Sequence, residues 1–266
     1  TGMAAVSACF MLLSKGDHIV ITEDVYGGTY RFVTKVLPRF GITHTFVDFT
    51  DLQAVRAAVT PETKLLYIET PSNPMLGITD IASIVNIAKE VGALTFLDNT
   101  FMTPIHQRPL DLGVDVVIHS ATKFLSGHSD IVAGLVVTKD PTLSEQVYFI
   151  QNSFGSCLGV QDSFTLIQNM KTTAVRFNES ARVASVLATF LDNHPLVEKV
   201  YYPGLASLPG ADIHSRQSTS AGAVLSFGLP SYDVAKVFVE AMQIPVFAVS
   251  LGGVESILSY PAKMSH

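Results

Sequence analysis

Two stretches, L-D-N-T-F at 97–101 and H-S-A-T-K-F-L-S-G-H-S-D at 119–130, hold the side chains with most capacity for chemistry. Each follows an apolar run that reads as a buried strand, which places Asp98, Ser120, Thr122 and Lys123 where a strand leaves the core. A lysine in that position loses hydration unless a partner uses its amine. Two more apolar runs end in chemically loaded segments, Asp24-Val25-Tyr26-Gly27-Gly28 and Glu69-Thr70-Pro71-Ser72-Asn73-Pro74. Thr1-Gly2-Met3 adds a small-residue helix start, whose free N–H groups and dipole suit an anion.

Together these offer a lysine, a carboxylate 25 positions before it, an aromatic ring beside two glycines, and an anion cradle of helix N–H groups with Ser and Thr hydroxyls. Pyridoxal phosphate, a cationic heteroaromatic aldehyde that carries a phosphate, needs those four parts. Lys123 would form the Schiff base, and Asp98 would keep the pyridine nitrogen protonated, because a nearby opposite charge favours the charged form. Tyr26 would stack on the ring, and Gly2, Met3, Ser120 and Thr122 would take the phosphate. Each residue alone has a plainer reading: Asp98 caps a turn, Tyr26 is a loop aromatic, and Ser120 and Thr122 satisfy backbone groups. Their order along one domain favours the joint reading.

The elements that must position these residues alternate. Apolar runs at 18–22, 42–47, 64–69, 93–98, 114–119 and 131–137 predict strands, and helical spacing at 26–37, 51–59 and 80–91 falls between them, with Asp51 and Asp80 as N-caps. Such alternation predicts an α/β domain on a mostly parallel sheet with flanking helices, and ligands in open α/β sheets gather at the carboxyl ends of the strands. Beyond residue 140 helical patterns take over at 141–152, 160–170 and 172–192, followed by strands at 197–201 and 221–227 and a helix at 232–242. We divide the chain into a large cofactor-binding domain over 1–185 and a smaller α+β domain over 186–266. The sequence opens in what reads as mid-helix and closes on Pro261-Ala262-Lys263-Met264-Ser265-His266 without an element, so it reads as a piece of something longer.

Hydrophobic residues make up 48% of the chain, enough for a sizeable core, while charged residues make up only 15%. No apolar run is long enough to span a bilayer, so a membrane is not the reason for the low charge. Covered subunit faces are, and a homo-oligomer is expected. The net charge of −6, with Lys and Arg scattered singly, gives no basic stripe for nucleic acid. Cys9 and Cys157 lie far apart and no signal peptide is present, which points to a reducing, cytoplasmic setting.

T-G-M-A-A, D-V-Y-G-G-T-Y, E-T-P-S-N-P, L-D-N-T-F, H-S-A-T-K-F-L-S-G-H-S-D-I-V-A-G and S-L-G-G-V-E-S closely resemble the Cys/Met-metabolism family of pyridoxal-phosphate enzymes, along the whole chain. The resemblance implies an aspartate-aminotransferase-like fold of type I, a small sulfur amino acid as substrate, and a tetramer of active-site-sharing dimers. It implies the roles given above for Lys123, Asp98, Tyr26, Gly2, Met3, Ser120 and Thr122, and it adds Asn73 near the cofactor's ring hydroxyl and Ser250 near the lysine and the substrate carboxylate. The family also uses a Tyr-x-Arg pair from a neighbouring subunit and a C-terminal arginine that clamps the substrate carboxylate; neither is in this sequence. Val249 stands where many γ-eliminating members carry a glutamate, and Gly28 where methionine-cleaving members carry a cysteine. Residues 147–153 and 258–266 look more like plant-type and Gram-positive β-eliminating members. The resemblance therefore implies β-elimination of cystathionine to homocysteine, pyruvate and ammonia, with γ-elimination or γ-replacement as the alternative.

Other classes fare worse. Ser120-Ala121-Thr122-Lys123 matches the S-x-x-K motif of serine hydrolases, but that motif opens a helix and comes with S-D-N and K-T-G, which the chain lacks. His106, His119 and His128 match no metal-ligand spacing. A catalytically inert scaffold has no need of both Lys123 and Asp98.

Overall fold

The computed structural model describes residues 1–261. Its first part runs α1 (Gly2–Phe10), β1 (His18–Thr22), α2 (Gly27–Lys35), β2 (Thr43–Val47), α3 (Leu52–Ala58), β3 (Thr63–Glu69), α4 (Ile81–Val91), β4 (Leu94–Asp98), α5 (Thr103–His106), β5 (Val116–Ser120) and β6 (Gly134–Thr138). Then follow α6 (Pro141–Phe154), α7 (Val160–Met170), α8 (Thr173–Asp192), β7 (Lys199–Tyr201), α9 (Ala211–Gln217), β8 (Ser226–Gly228), α10 (Tyr232–Ala241), β9 (Val246–Phe247) and β10 (Ile257–Leu258).

Six strands form one sheet in the order β2-β1-β3-β4-β5-β6, parallel except at the antiparallel edge strand β6. The central strands are apolar on both faces because both are covered. Leu65, Tyr67, Phe96, Val116 and Ile118 pack with Val6, Cys9 and Phe10 of α1, while Leu66, Ile68, Leu97 and Val117 pack with Val55 of α3 and Ile84 and Val85 of α4. Helix α4 shows how the local sequence sets an element: the Asp80 carboxylate accepts the Ser83 N–H, Ile81, Ile84, Val85 and Ala88 line one face, and Gly92 ends it at φ 69°.

Several boundaries differ from the sequence pattern for physical reasons. α1 covers Gly2–Phe10, and the Thr1 hydroxyl accepts the Ala4 N–H at 2.9 Å. α2 stops at Lys35 and gives way to a 3-10 turn over Leu37–Phe40, since Pro38 cannot continue the α-helical bonding. β5 starts at Val116 because Asp115 turns back to accept the Thr95 N–H at 2.7 Å. Ile131 and Ala133 do not join β6; they pack with Ala121, Leu125 and Leu166 in a small core under the lysine loop. The strand expected at 221–227 shrinks to β8, after Gly222 turns the chain at φ 83°.

α8 passes residue 185 without a break, and its Ala184, Ala188 and Leu191 share a small core with Val200 and Tyr202. β7 and β8 pair antiparallel, and β9 and β10 pair parallel. Residues 262–266, and with them part of the 258–266 resemblance, lie outside the described residues.

Candidate active site

The sheet register levels the carboxyl ends of the central strands: Glu69 is paired with Asp98, and Asp98 with Ile118, two residues before Ser120. The strand order reverses between β1 and β3, the switch point at which open α/β sheets bind ligands. A hydrogen bond spans that point, from the Tyr26 N–H to Glu69 Oε2 at 2.9 Å. Tyr26 is the N-cap of α2 and is 45% exposed, so part of its ring is open to a ligand. The ring also lies against Gly28, where a Cβ would collide with it.

Lys123 sits in the turn after β5, and its Nζ donates to Ser250 Oγ at 2.7 Å. These residues are 127 positions apart. Ser250 takes φ 100° and Gly252 φ 83°, and a Cβ on Gly252 would lie 2.5 Å from the Phe124 nitrogen. Only glycine lets the Ser250 segment approach the lysine turn so closely. Burial pulls the Lys123 amine below the ordinary lysine range, because the charged form loses hydration. The Arg176 guanidinium donates to the carbonyls of Phe124 (3.0 Å) and Asn169 (2.9 Å), tying the lysine turn to α7 and α8.

Burial raises the Asp98 carboxyl, and its hydrogen bonds with Thr100 pull the other way, including the Thr100 N–H at 2.9 Å. Thr100 also accepts the Ser120 N–H at 2.8 Å, which locks the ends of β4 and β5 together. None of the ion pairs formed by the described residues includes Asp98, Glu69 or Lys123.

The N-terminus of α1 comes up beside Ser120, and a Cβ on Gly2 would lie 2.8 Å from Ser120 Oγ. Gly2 and Ser120 thus lie side by side, with Met3 next along α1 and its Sδ against Gly28. Thr122 is different: its hydroxyl donates to Ala133 O at 3.2 Å and accepts the Ala133 N–H at 3.0 Å, which spends its only proton. Asn73 is half-buried in the loop after β3, and no hydrogen bond holds its amide among the described residues. Ser120 ends a strand and opens no helix, against the S-x-x-K reading. Sequence reasoning missed the parts played by Glu69, Thr100 and Arg176. Glu69 alone gave a signal, as an acid closing an apolar run.

These residues fit a phosphate-bearing aldehyde on a cationic ring. A Cβ at Gly2 would fill the space beside Ser120, and among the described residues Asp98 is a half-buried carboxyl paired with no cation and Lys123 a half-buried amine paired with no anion. A parallel sheet that gathers such a set at its carboxyl edge defines a pyridoxal-phosphate enzyme of fold type I. Comparison with known proteins narrows the class. The cystathionine β-lyase MetC of Bacillus subtilis strain 168 is 62% identical over 266 residues, covering 100% of this chain and 68% of that protein. The cystathionine γ-lyase of the same organism is 48% identical, over 100% and 70% of the two chains. The crystal structure of cystathionine γ-lyase from Lactobacillus plantarum, complexed with L-serine, superposes with a TM-score of 0.98 at 48% identity, over 100% of this chain and 70% of that one. The chain belongs to the Cys/Met metabolism PLP-dependent enzymes, whose family description it matches over residues 1–266.

Proposed function

We propose that the chain is a β-eliminating carbon–sulfur lyase that converts cystathionine and water to homocysteine, pyruvate and ammonia. The observation that carries this reading is the Lys123–Ser250 contact, which places a half-buried amine at the strand ends, directed at Ser250. Elimination from Cβ needs one proton removed, at Cα, whereas elimination from Cγ needs a second removal at Cβ. The residue before Ser250 is Val249, which can move no proton. The 62% identity to a cystathionine β-lyase supports the same choice, against 48% to a γ-lyase.

In this account Lys123 would hold the cofactor's aldehyde carbon until the substrate's amine displaces it, Asp98 would face its ring nitrogen, Tyr26 would cover its ring, and Gly2, Met3 and Ser120 would hold its phosphate. Thr122 joins them only by releasing Ala133 O. Asn73 is assigned to the ring hydroxyl. The bound cofactor supplies a cationic ring that spreads the negative charge left at the substrate's Cα. Once displaced by the substrate's amine, Lys123 Nζ is free to take the Cα proton, and its lowered pKa keeps a larger share of the amine unprotonated and able to do so. Ser250 Oγ accepts from that amine and fixes its direction. The Thr100 hydrogen bonds favour the charged form of Asp98, against the burial that raises its pKa.

The boundary between a cofactor-binding part, 1–185, and a smaller part, 186–266, then falls within α8, whose Ala184, Ala188 and Leu191 belong to the small core of Val200 and Tyr202. Exposed Tyr148, Phe149, Phe154, Phe164 and Ile167 on α6 and α7 support a homo-oligomer, taken here as a tetramer. No helix among the described residues is long and apolar enough to cross a membrane, and we place the protein in the cytoplasm. The test is a product assay on cystathionine: pyruvate with homocysteine supports the reading, and cysteine with 2-oxobutyrate replaces it with γ-elimination.

A further inference from the structure

Glu69 has so far served only as an acceptor. It is buried, with 6% exposure, and it ends β3 directly beside Asp98 on β4. Side chains two apart on a strand share a face, so Glu69 follows Tyr67, and Asp98 follows Phe96, onto the side covered by α1. Adjacent strands lie about 4.8 Å apart, which puts the two carboxyl groups within reach of each other's charge.

No lysine or arginine of the described residues pairs with either. The titratable groups that face them from neighbouring elements are Asp24 after β1, Tyr67 on β3 and Cys9 on α1, all acids. Two desolvated carboxylates in such company do not both stay ionised. Thr100 hydrogen bonds favour the charged form of Asp98, whereas Glu69 has the Tyr26 N–H and the added repulsion of Asp24. Burial and the Asp98 charge push Glu69 well above the carboxylate range, in the same direction as the geometry.

We propose that Glu69 is a positioning residue that works as a neutral carboxylic acid, holding the Tyr26 backbone and so its ring, and leaving Asp98 as the one anion that meets the cofactor's ring nitrogen. This rests on the assignments of Tyr26 and Asp98 given above. Glu69→Gln keeps an acceptor for the Tyr26 N–H without a charge, and Glu69→Ala removes it. Infrared spectra of the cofactor-free protein at neutral pH should show a protonated-carboxyl stretch that Glu69→Gln abolishes. In titrations with pyridoxal phosphate, Glu69→Gln should bind within about threefold of the parent with an unmoved visible band, and Glu69→Ala about tenfold more weakly with reduced dichroism of that band, the scale of one lost buried hydrogen bond.

A missing carboxyl stretch overturns the proposal. So does a Glu69→Gln protein as weak as Glu69→Ala with a displaced band, since Glu69 would then act as an anion, or a Glu69→Ala protein that binds like the parent. Failure of the parent protein itself to attach the cofactor at Lys123 is a different result: it defeats the site assignment and the positioning role built on it, and the infrared arm still decides whether Glu69 carries a proton.

Discussion

The sheet and the C-terminal segment reach the site by opposite routes. β1 is buried at all five positions and α4 buries five side chains, whereas α10 buries none and β9 and β10 are two residues each. Asp98 and Lys123 leave strands that two cores hold from both faces. Ser250 arrives on a strained left-handed backbone, and its approach depends on the fit of Gly252 against the Phe124 nitrogen. One part is a frame and the other a docked strap, so damage to each should have a different character: chemistry lost from the frame, alignment lost from the strap.

The largest effect tests the frame. Asp98→Asn should lower kcat/KM by about a hundredfold or more, as removal of a preorganised charge does, while some cofactor is still bound. Near-parental turnover in that variant, measured beside a visible titration, would remove Asp98 from its role. Next comes the strap. Gly252→Ala puts a Cβ 2.5 Å from the Phe124 nitrogen at φ 83°, so the Ser250 segment must shift and release Lys123. We expect turnover to drop by about ten- to thirtyfold, a loss of roughly 1.4 to 2 kcal/mol in barrier. The melting temperature should move by less than about 5 °C. A large fall in melting temperature with intact turnover would show that the segment belongs to the frame.

The smallest effect separates two hydroxyls one turn apart. Ser120→Ala should weaken cofactor binding by about five- to tenfold, whereas Thr122→Val should leave it within about twofold and instead cost about 1 to 2 kcal/mol of stability, because the Ala133 N–H and carbonyl lose their partner. Equal losses of affinity in the two variants would return Thr122 to the phosphate.

What the sequence displayed follows from the same contrast. β1, β3 and β4 lie within a residue of their apolar runs because burial on both faces leaves a continuous signal, and Asp51 and Asp80 cap where their spacing places them. Asp98 and Lys123 were legible as polar residues closing such runs. Strands of two residues such as β9 and β10 have no periodicity to read, and the start of β6 was hidden because Ile131 and Ala133 are apolar for another core. The Lys123–Ser250 bond was available only through resemblance, being 127 positions long. Thr122 reads as a phosphate ligand in the sequence, which gives no sign of the bonds its hydroxyl makes with Ala133, and Glu69 reads as any strand-end acid until register sets it beside Asp98.

The central claim is that the amine leaving β5 is the group that holds the cofactor. Incubation with pyridoxal phosphate, borohydride reduction, proteolysis and mass spectrometry should place a single pyridoxyl group on Lys123, with the visible band and the label both absent in Lys123→Ala. A label distributed over other lysines, or a visible band that survives in Lys123→Ala, would contradict it.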